Sequence, residues 1–155
     1  MSSYRPINNL SALEKLVESY ILYYLEEFYD KNDILDKNHH GGRKKHSTLT
    51  ATTVIYDAIY KNDDISKHTI LLATDLSSAY DTIYTEIILE KLEHYGIRGG
   101  YNDLFRSYYS NRKQFVKIDN ACSTLRDCNE CSVVHGSRLS GIMYNTYSNE
   151  IPKLP

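Results

Sequence analysis

Between Thr69 and Ile83 the chain reads Thr-Ile-Leu-Leu-Ala-Thr-Asp-Leu-Ser-Ser-Ala-Tyr-Asp-Thr-Ile, and this stretch constrains the fold more than any other. Ile70 to Ala73 are apolar at consecutive rather than alternate positions. That pattern predicts a short strand buried on both faces. Asp75 follows almost at once, and a carboxylate where a buried strand surfaces is costly unless something cationic meets it. An arginine or a divalent metal would serve. Tyr80 and Asp81 lie on the turn out of the strand, and a helical pattern begins just after. A carboxylate and an aromatic ring five residues apart at the end of a strand suit a metal and a nucleotide.

The 155 residues are enough for one domain with a real core. The net charge of −2 gives no global basic field, so any nucleic-acid argument must rest on local patches. Fifteen Tyr stand against three Phe and no Trp. A buried Tyr needs a partner for its hydroxyl, so many of these rings are expected half-buried or along a groove. Three cysteines, an odd number with no signal peptide ahead of them, point to reduced thiols and an intracellular location, nucleus or cytoplasm. No apolar run approaches the ~20 residues a membrane span requires.

Ser11 to Asp30 predicts a helix. Ser11-Ala-Leu-Glu14 is a capping box, and Leu13, Leu16, Val17, Tyr20, Ile21, Tyr24, Leu25 and Phe28 recur on one broad face as a core helix requires. Lys37 to His46 carries four fixed positive charges, three histidines and no acid around Gly41-Gly42. A basic glycine loop that ends on a helix N-terminus is a good phosphate site, and a solvated charged loop is an equal reading of the same residues. Thr48 to Tyr60 predicts a second helix with Leu49, Thr52 or Thr53, Tyr56 and Ile59 inward. Tyr84 to Tyr95 predicts a third, with Ile87, Ile88, Leu92 and Tyr95 on one stripe and Gly96 as its stop. A fourth begins near Asp103. From Arg98 to Lys117, five basic residues (Arg98, Arg106, Arg112, Lys113 and Lys117) alternate with Tyr101, Tyr108, Tyr109 and Phe115. Such mixing suits a nucleic-acid track or a helix with a solvated basic face. Gln114 to Ile118 alternates like a half-buried strand, with Thr124 to Arg126 and Glu130 to Val134 as candidate partners. Cys128-Asn-Glu-Cys131, with His135 beyond and Cys122 before, has the ligand types of a zinc site but no separated second pair.

Four stretches together resemble reverse transcriptases of the non-LTR retrotransposon type. Asp75-Leu-Ser-Ser-Ala-Tyr-Asp-Thr-Ile83 resembles their first catalytic motif. Tyr4-Arg5-Pro6-Ile7 resembles a fingers motif, and Pro6 keeps Arg5 out of the helical region with its guanidinium free to reach. The basic loop resembles a second fingers motif: His39 or His40 stands for its Gln, Arg43 keeps its arginine, and Ser47-Thr48 keeps its helix start. Ser132 to Pro152 resembles the second palm motif. Gly136, Ser137, Leu139, Ser140, Asn145, Asn149 and Pro152 hold that pattern, while Val134, His135, Arg138 and Gly141 depart from it.

The resemblance implies an α/β (α+β) right-hand polymerase fold. Residues 1–66 would form a fingers-like portion, and 67–155 a partial palm sheet flanked by helices. It implies RNA-directed DNA synthesis by two-metal nucleotidyl transfer on an RNA template and DNA primer, with dNTP as substrate and Mg²⁺, or Mn²⁺, as cofactor. Asp75 is the implied catalytic residue and metal ligand, helped by the Leu76 carbonyl. Arg5, Arg43, Tyr80, His135 and Gly136 are the implied nucleotide site, with Tyr80 as steric gate against a ribose 2′-hydroxyl. Lys44, Lys45, Arg106, Arg112 and Lys113 are candidates for holding nucleic acid. Family members bring further carboxylates on an aromatic-X-Asp-Asp hairpin, which these residues do not contain. The chain is therefore expected not to polymerise alone, to expose the edge of its Asp75 strand, and to need a partner supplying the rest of palm and thumb. A non-catalytic nucleic-acid-binding remnant and a small zinc module are the alternatives.

Overall fold

The computed structural model describes residues 8–76, 79–128, 133–134 and 136–151. Helices carry the core. Helix α1 spans Ala12–Lys31, α2 Thr48–Asp63, α3 Thr85–His94, α4 Gly100–Tyr109 and α5 Ser140–Ser148. Among the described residues, four two-residue strands lie between α4 and α5: β1 Lys113–Gln114, β2 Lys117–Ile118, β3 Ala121–Cys122 and β4 Arg126–Asp127. Helices with small antiparallel sheets place the chain in the mixed α and β class.

Helix α3 packs on both α4 and α5. Ile88, Leu92 and Met143 are fully buried, with Ile83, Leu139, Val133 and Phe105 around them. The stop of α3 is a Schellman ending. Gly96, at φ 101°, turns the chain, its N–H meets the Glu93 carbonyl at 3.1 Å, and Ile97 N–H meets the Leu92 carbonyl at 2.9 Å. The expected stripe is right at Ile88 and Leu92, whereas Ile87 is exposed and Leu89 is buried in its place.

Helix α1 begins where the capping motif puts it, Ser11 Oγ accepting from Glu14 N–H at 3.1 Å. The Glu14 carboxylate goes elsewhere, to Arg112 Nη2 at 2.8 Å. The expected core face is corrected. Leu13, Leu16, Val17, Tyr20 and Tyr24 are exposed, while Glu18, Leu25 and Tyr29 are buried, with Ile21, Leu22 and Phe28 packed against the core. Residues 18, 21, 22, 25 and 29 form a helical stripe of their own, set about one residue around from the expected one. The core meets mainly the C-terminal half of α1.

Helix α2 also starts as expected, on a reciprocal box between Ser47 and Thr50. The expected inward face is mostly exposed, with Ile59 alone of that set half-buried. Leu49 and Tyr56 are exposed, and α2 buries no residue. Thr52 and Thr53 turn their hydroxyls back onto the carbonyls of Thr48 and Leu49 instead of into a core.

The buried strand expected at Ile70–Ala73 is corrected as well. The segment has no strand assignment, and Ile70 is 94% and Leu72 82% exposed. Among the described residues no strand lies beside it to complete a ladder, so its backbone and its apolar side chains stay open together.

The expected Gln114–Ile118 strand is broken in two. β1 pairs with β4, setting Gln114 opposite Arg126, and β2 pairs with β3, setting Ile118 opposite Ala121. The result is one nested antiparallel arm turning near Asp119, whose φ is 51°. The pairing with Arg126 agrees with expectation, but the half-burial does not: Phe115, Val116 and Ile118 are exposed. The other suggested partner, residues 130–134, lies mostly outside the described residues. No described helix is long and apolar enough to cross a membrane.

Candidate functional site

Helix α5 is where distant parts of the chain meet. It carries Asn145, and Asn149 follows four residues on as its C-terminal cap, hence on the same face. Asn149 is buried; its Oδ1 accepts from Asp36 N–H and its Nδ2 donates to the Ile34 carbonyl, both at 2.8 Å. Asn145 is buried one turn earlier. Its Nδ2 donates to the Gly41 carbonyl at 2.8 Å and its Oδ1 lies 2.9 Å from His39 Nε2. Because Asn145 Oδ1 can only accept, His39 must carry the proton on Nε2. Between them, Thr146 Oγ1 lies 2.6 Å from the buried Tyr29 hydroxyl of α1. Burial pushes the Tyr29 phenol well above its ordinary pKa. One face of α5 thus clamps residues 34–42 and α1 together.

The clamp sets the basic glycine loop. Gly42, at φ 58°, passes so close to α5 that an added Cβ would lie 3.5 Å from Asn145 Nδ2. Arg43 Nη1 donates to the Asp36 carbonyl at 3.1 Å. Lys44 pairs with Glu26 at 2.6 Å and lies over the Tyr23 ring. The Glu26 contact holds the ammonium pKa above its ordinary value. Lys45 adopts φ 61°. His40 Nδ1 lies 2.9 Å from Thr50 Oγ1, so the loop is buttressed on the first turn of α2.

The other side of α5 meets the turn after Asp75. The Tyr80 ring lies 5.2 Å from that of Tyr144, and the Tyr80 carbonyl accepts from Val133 N–H at 3.0 Å. The Gly136 segment leads into α5. Asp75 and Leu76 are exposed at the end of the open segment, and Asp75 forms no ion pair among the described residues. The structure therefore brings Tyr80, Gly136 and the Arg43 loop around one helix. Arg5 and His135 lie outside the described residues.

The proposed nucleic-acid track looks different in three dimensions. Arg106 reaches both carboxylate oxygens of Glu86 at 3.0 and 3.1 Å. Arg112 is held between Glu14 and the Tyr108 ring, 4.8 Å from its centre. Lys113 faces Asp127 at 3.5 Å across the β1–β4 pair. Of the zinc candidates, Cys122 and Cys128 are free thiols, while Cys131 and His135 lie outside the described residues. Among the described residues no three metal-binding side chains cluster.

Sequence reasoning missed Glu18, a carboxylate only 1% exposed. The signal was present: Glu18 sits three, four, seven and eleven residues before Ile21, Leu22, Leu25 and Tyr29, the stripe that is buried.

Replacing Asn145 by alanine removes its side-chain contacts to the loop and strands the Gly41 carbonyl. The expected loss is about 1–2 kcal/mol of stability, together with faster hydrogen exchange across residues 37–46. Urea unfolding with exchange mass spectrometry checks both, and an unchanged loop in the variant would refute the clamp.

Residues 1–154 match the family model for reverse transcriptase (RNA-dependent DNA polymerase). Among curated proteins, the chain is 27% identical over 150 residues to a probable RNA-directed DNA polymerase from transposon BS of Drosophila melanogaster, covering 97% of this chain and 16% of that protein. It is 26% identical over 152 residues to one from transposon X-element of the same fly, covering 98% and 16%. The chain thus spans about one-sixth of the length of these relatives. No solved structure matches it. With a family model matched over nearly its whole length, this chain belongs to the reverse transcriptase family.

Proposed function

We propose that the chain forms the fingers side, residues 1–66, and the first part of the palm, residues 67–155, of a retrotransposon polymerase that copies an RNA template from a DNA primer. The observation that carries this reading is the meeting at α5: Tyr80 against Tyr144 on one side, and the Arg43 loop held by Asn145 on the other. An aromatic ring for the sugar and a guanidinium for the phosphates are the groups that dNTP recognition needs.

Reverse transcriptases use divalent metal ions, and the residues present fit part of such a site. Mg²⁺ takes hard oxygen donors, commonly one or two carboxylates completed by substrate phosphates. Asp75 offers an exposed carboxylate and Leu76 a carbonyl next to it. Asp75 and the Leu76 carbonyl would hold the divalent cation, which would supply charge neutralisation at the reacting phosphates. The chain's own residues position the substrate: Arg43 faces phosphate oxygens, Tyr80 fills the space of a 2′-hydroxyl, and Arg5 and His135 complete the nucleotide site. The open Ile70–Leu72 segment supports a further part of the palm lying against it.

Binding without catalysis has less support. Lys44, Arg106, Arg112 and Lys113 already face carboxylates, which leaves Lys45 as the member of that set without an ion pair among the described residues.

The test is sugar selection by the full-length polymerase. Tyr80→Val removes the ring and is expected to raise ribonucleotide use relative to deoxynucleotide by roughly 10- to 100-fold, read as the ratio of kcat/KM values. A Tyr80→Val enzyme as selective as its parent would remove Tyr80 from the nucleotide site.

A further inference from the structure

We infer that Glu18 is a positioning residue for the Gly136–Leu139 segment, and through it for helix α5; the inference rests on the polymerase function proposed above. Glu18 lies 120 residues from this segment, yet its Oε2 accepts from the Arg138 backbone N–H at 2.9 Å. Its Oε1 accepts from the Tyr108 hydroxyl at 2.6 Å, and that hydroxyl lies 3.0 Å from Ser137 Oγ. Ser137 Oγ also accepts from Leu139 N–H at 3.0 Å. Three successive residues, 137 to 139, are therefore fixed by one chain of polar contacts that ends on a carboxylate buried in α1.

The position of this carboxylate is not needed to fill the core. A buried carboxylate is costly to desolvate, and an apolar side chain of similar size would fill the same space but leave the Arg138 N–H and the Tyr108 hydroxyl without their acceptor. What Glu18 supplies that an apolar residue cannot is direction: two acceptor oxygens aimed at two separate donors. Arg112 braces the far side, stacked on the Tyr108 ring and paired with Glu14 one turn before Glu18. Burial, reinforced by the Glu18 contact, pushes the Tyr108 phenol well above its ordinary pKa, so its hydroxyl stays protonated as a donor. The segment held in this way enters α5 directly, and α5 carries Tyr144 against Tyr80.

Two variants separate direction from packing. Glu18→Leu keeps the volume and loses both acceptors. Glu18→Gln keeps one acceptor for Arg138 N–H and turns its amide N–H toward the Tyr108 oxygen, whose own proton then goes to Ser137 Oγ. Steady-state incorporation on an RNA template is measured with the full-length polymerase, alongside thermal unfolding. Glu18→Leu is expected to raise KM for dNTP on the order of tenfold or more, measured below its unfolding midpoint, which falls because two donors lose their acceptor. Glu18→Gln is expected to restore KM to within about threefold of the parent, an effect a merely structural role would not produce. An active parent with an ordinary KM in Glu18→Leu overturns this proposal alone, as does a Glu18→Gln enzyme as impaired as Glu18→Leu. A parent that extends no primer overturns the polymerase function, and this proposal with it.

Discussion

Gly136→Ala is expected to destabilise the chain by roughly 2–4 kcal/mol, the largest stability loss of any single methyl addition considered. Two costs act together. Gly136 holds φ at 88°, a left-handed backbone that costs an L-residue with a Cβ about 1–2 kcal/mol. The added Cβ would also lie 2.8 Å from the backbone carbonyl oxygen of Asn8. That neighbour is main chain rather than the tip of a flexible side chain, so the segment before α1 or the entry to α5 must move, at about 1–3 kcal/mol. Restricting the unfolded chain returns only about 0.4–1 kcal/mol. Gly141→Ala is the control. It adds a Cβ inside α5 with nothing within 4 Å, and helix propensity makes it stabilising by about 0.5–1 kcal/mol. Urea unfolding of both variants decides: equal midpoints for Gly136→Ala and the parent would show that the segment relaxes freely, and the tight approach to Asn8 would carry no weight.

The contrast between these glycines shows what the sequence reveals. Gly136 stood out through a motif, and the motif marks the place where backbone from opposite ends of the chain comes together. Local signals read well throughout. The Ser11 and Ser47 caps start α1 and α2, and Gly96 stops α3, because those signals act within a few residues of the element they shape. Burial read poorly wherever it depends on what lies alongside. The apolar run at Ile70 has the composition of a two-sided buried strand, yet composition cannot supply the neighbours that bury it, and among the described residues it has none. Helix α2 has an apolar pattern, and among the described residues it buries none of it fully. In α1 the expected stripe was chosen by counting apolar residues, while the core selects the stripe containing Glu18, whose charge argued against burial until Tyr108 and the Arg138 amide are seen to satisfy it. The same limit applies to the basic residues. Arg112 reads as a free cation in the sequence because Glu14, its partner, lies 98 positions away.

Asp75→Asn carries the largest expected effect on activity. In the full-length polymerase this change is expected to lower primer extension by about 10³-fold or more, the scale on which removing a directly acting group is felt. The isostere keeps the shape and one acceptor and removes the charge, which is what a divalent cation requires of its ligand. The structure makes the prediction sharp because Asp75 has no other visible task. It is exposed and forms no ion pair among the described residues, so its loss should leave the unfolding midpoint where it was. A carboxylate placed for stability would behave in the opposite way, shifting the midpoint and activity together. The 155-residue chain by itself offers Asp75 but no cluster of further ligands among its described residues. By itself it is accordingly expected to give no primer extension with Mg²⁺ or Mn²⁺. Measurable synthesis by the short chain would mean that a second acidic ligand is already present within it. Full activity in Asp75→Asn would mean that the carboxylate emerging from the Ile70 segment has no part in the chemistry.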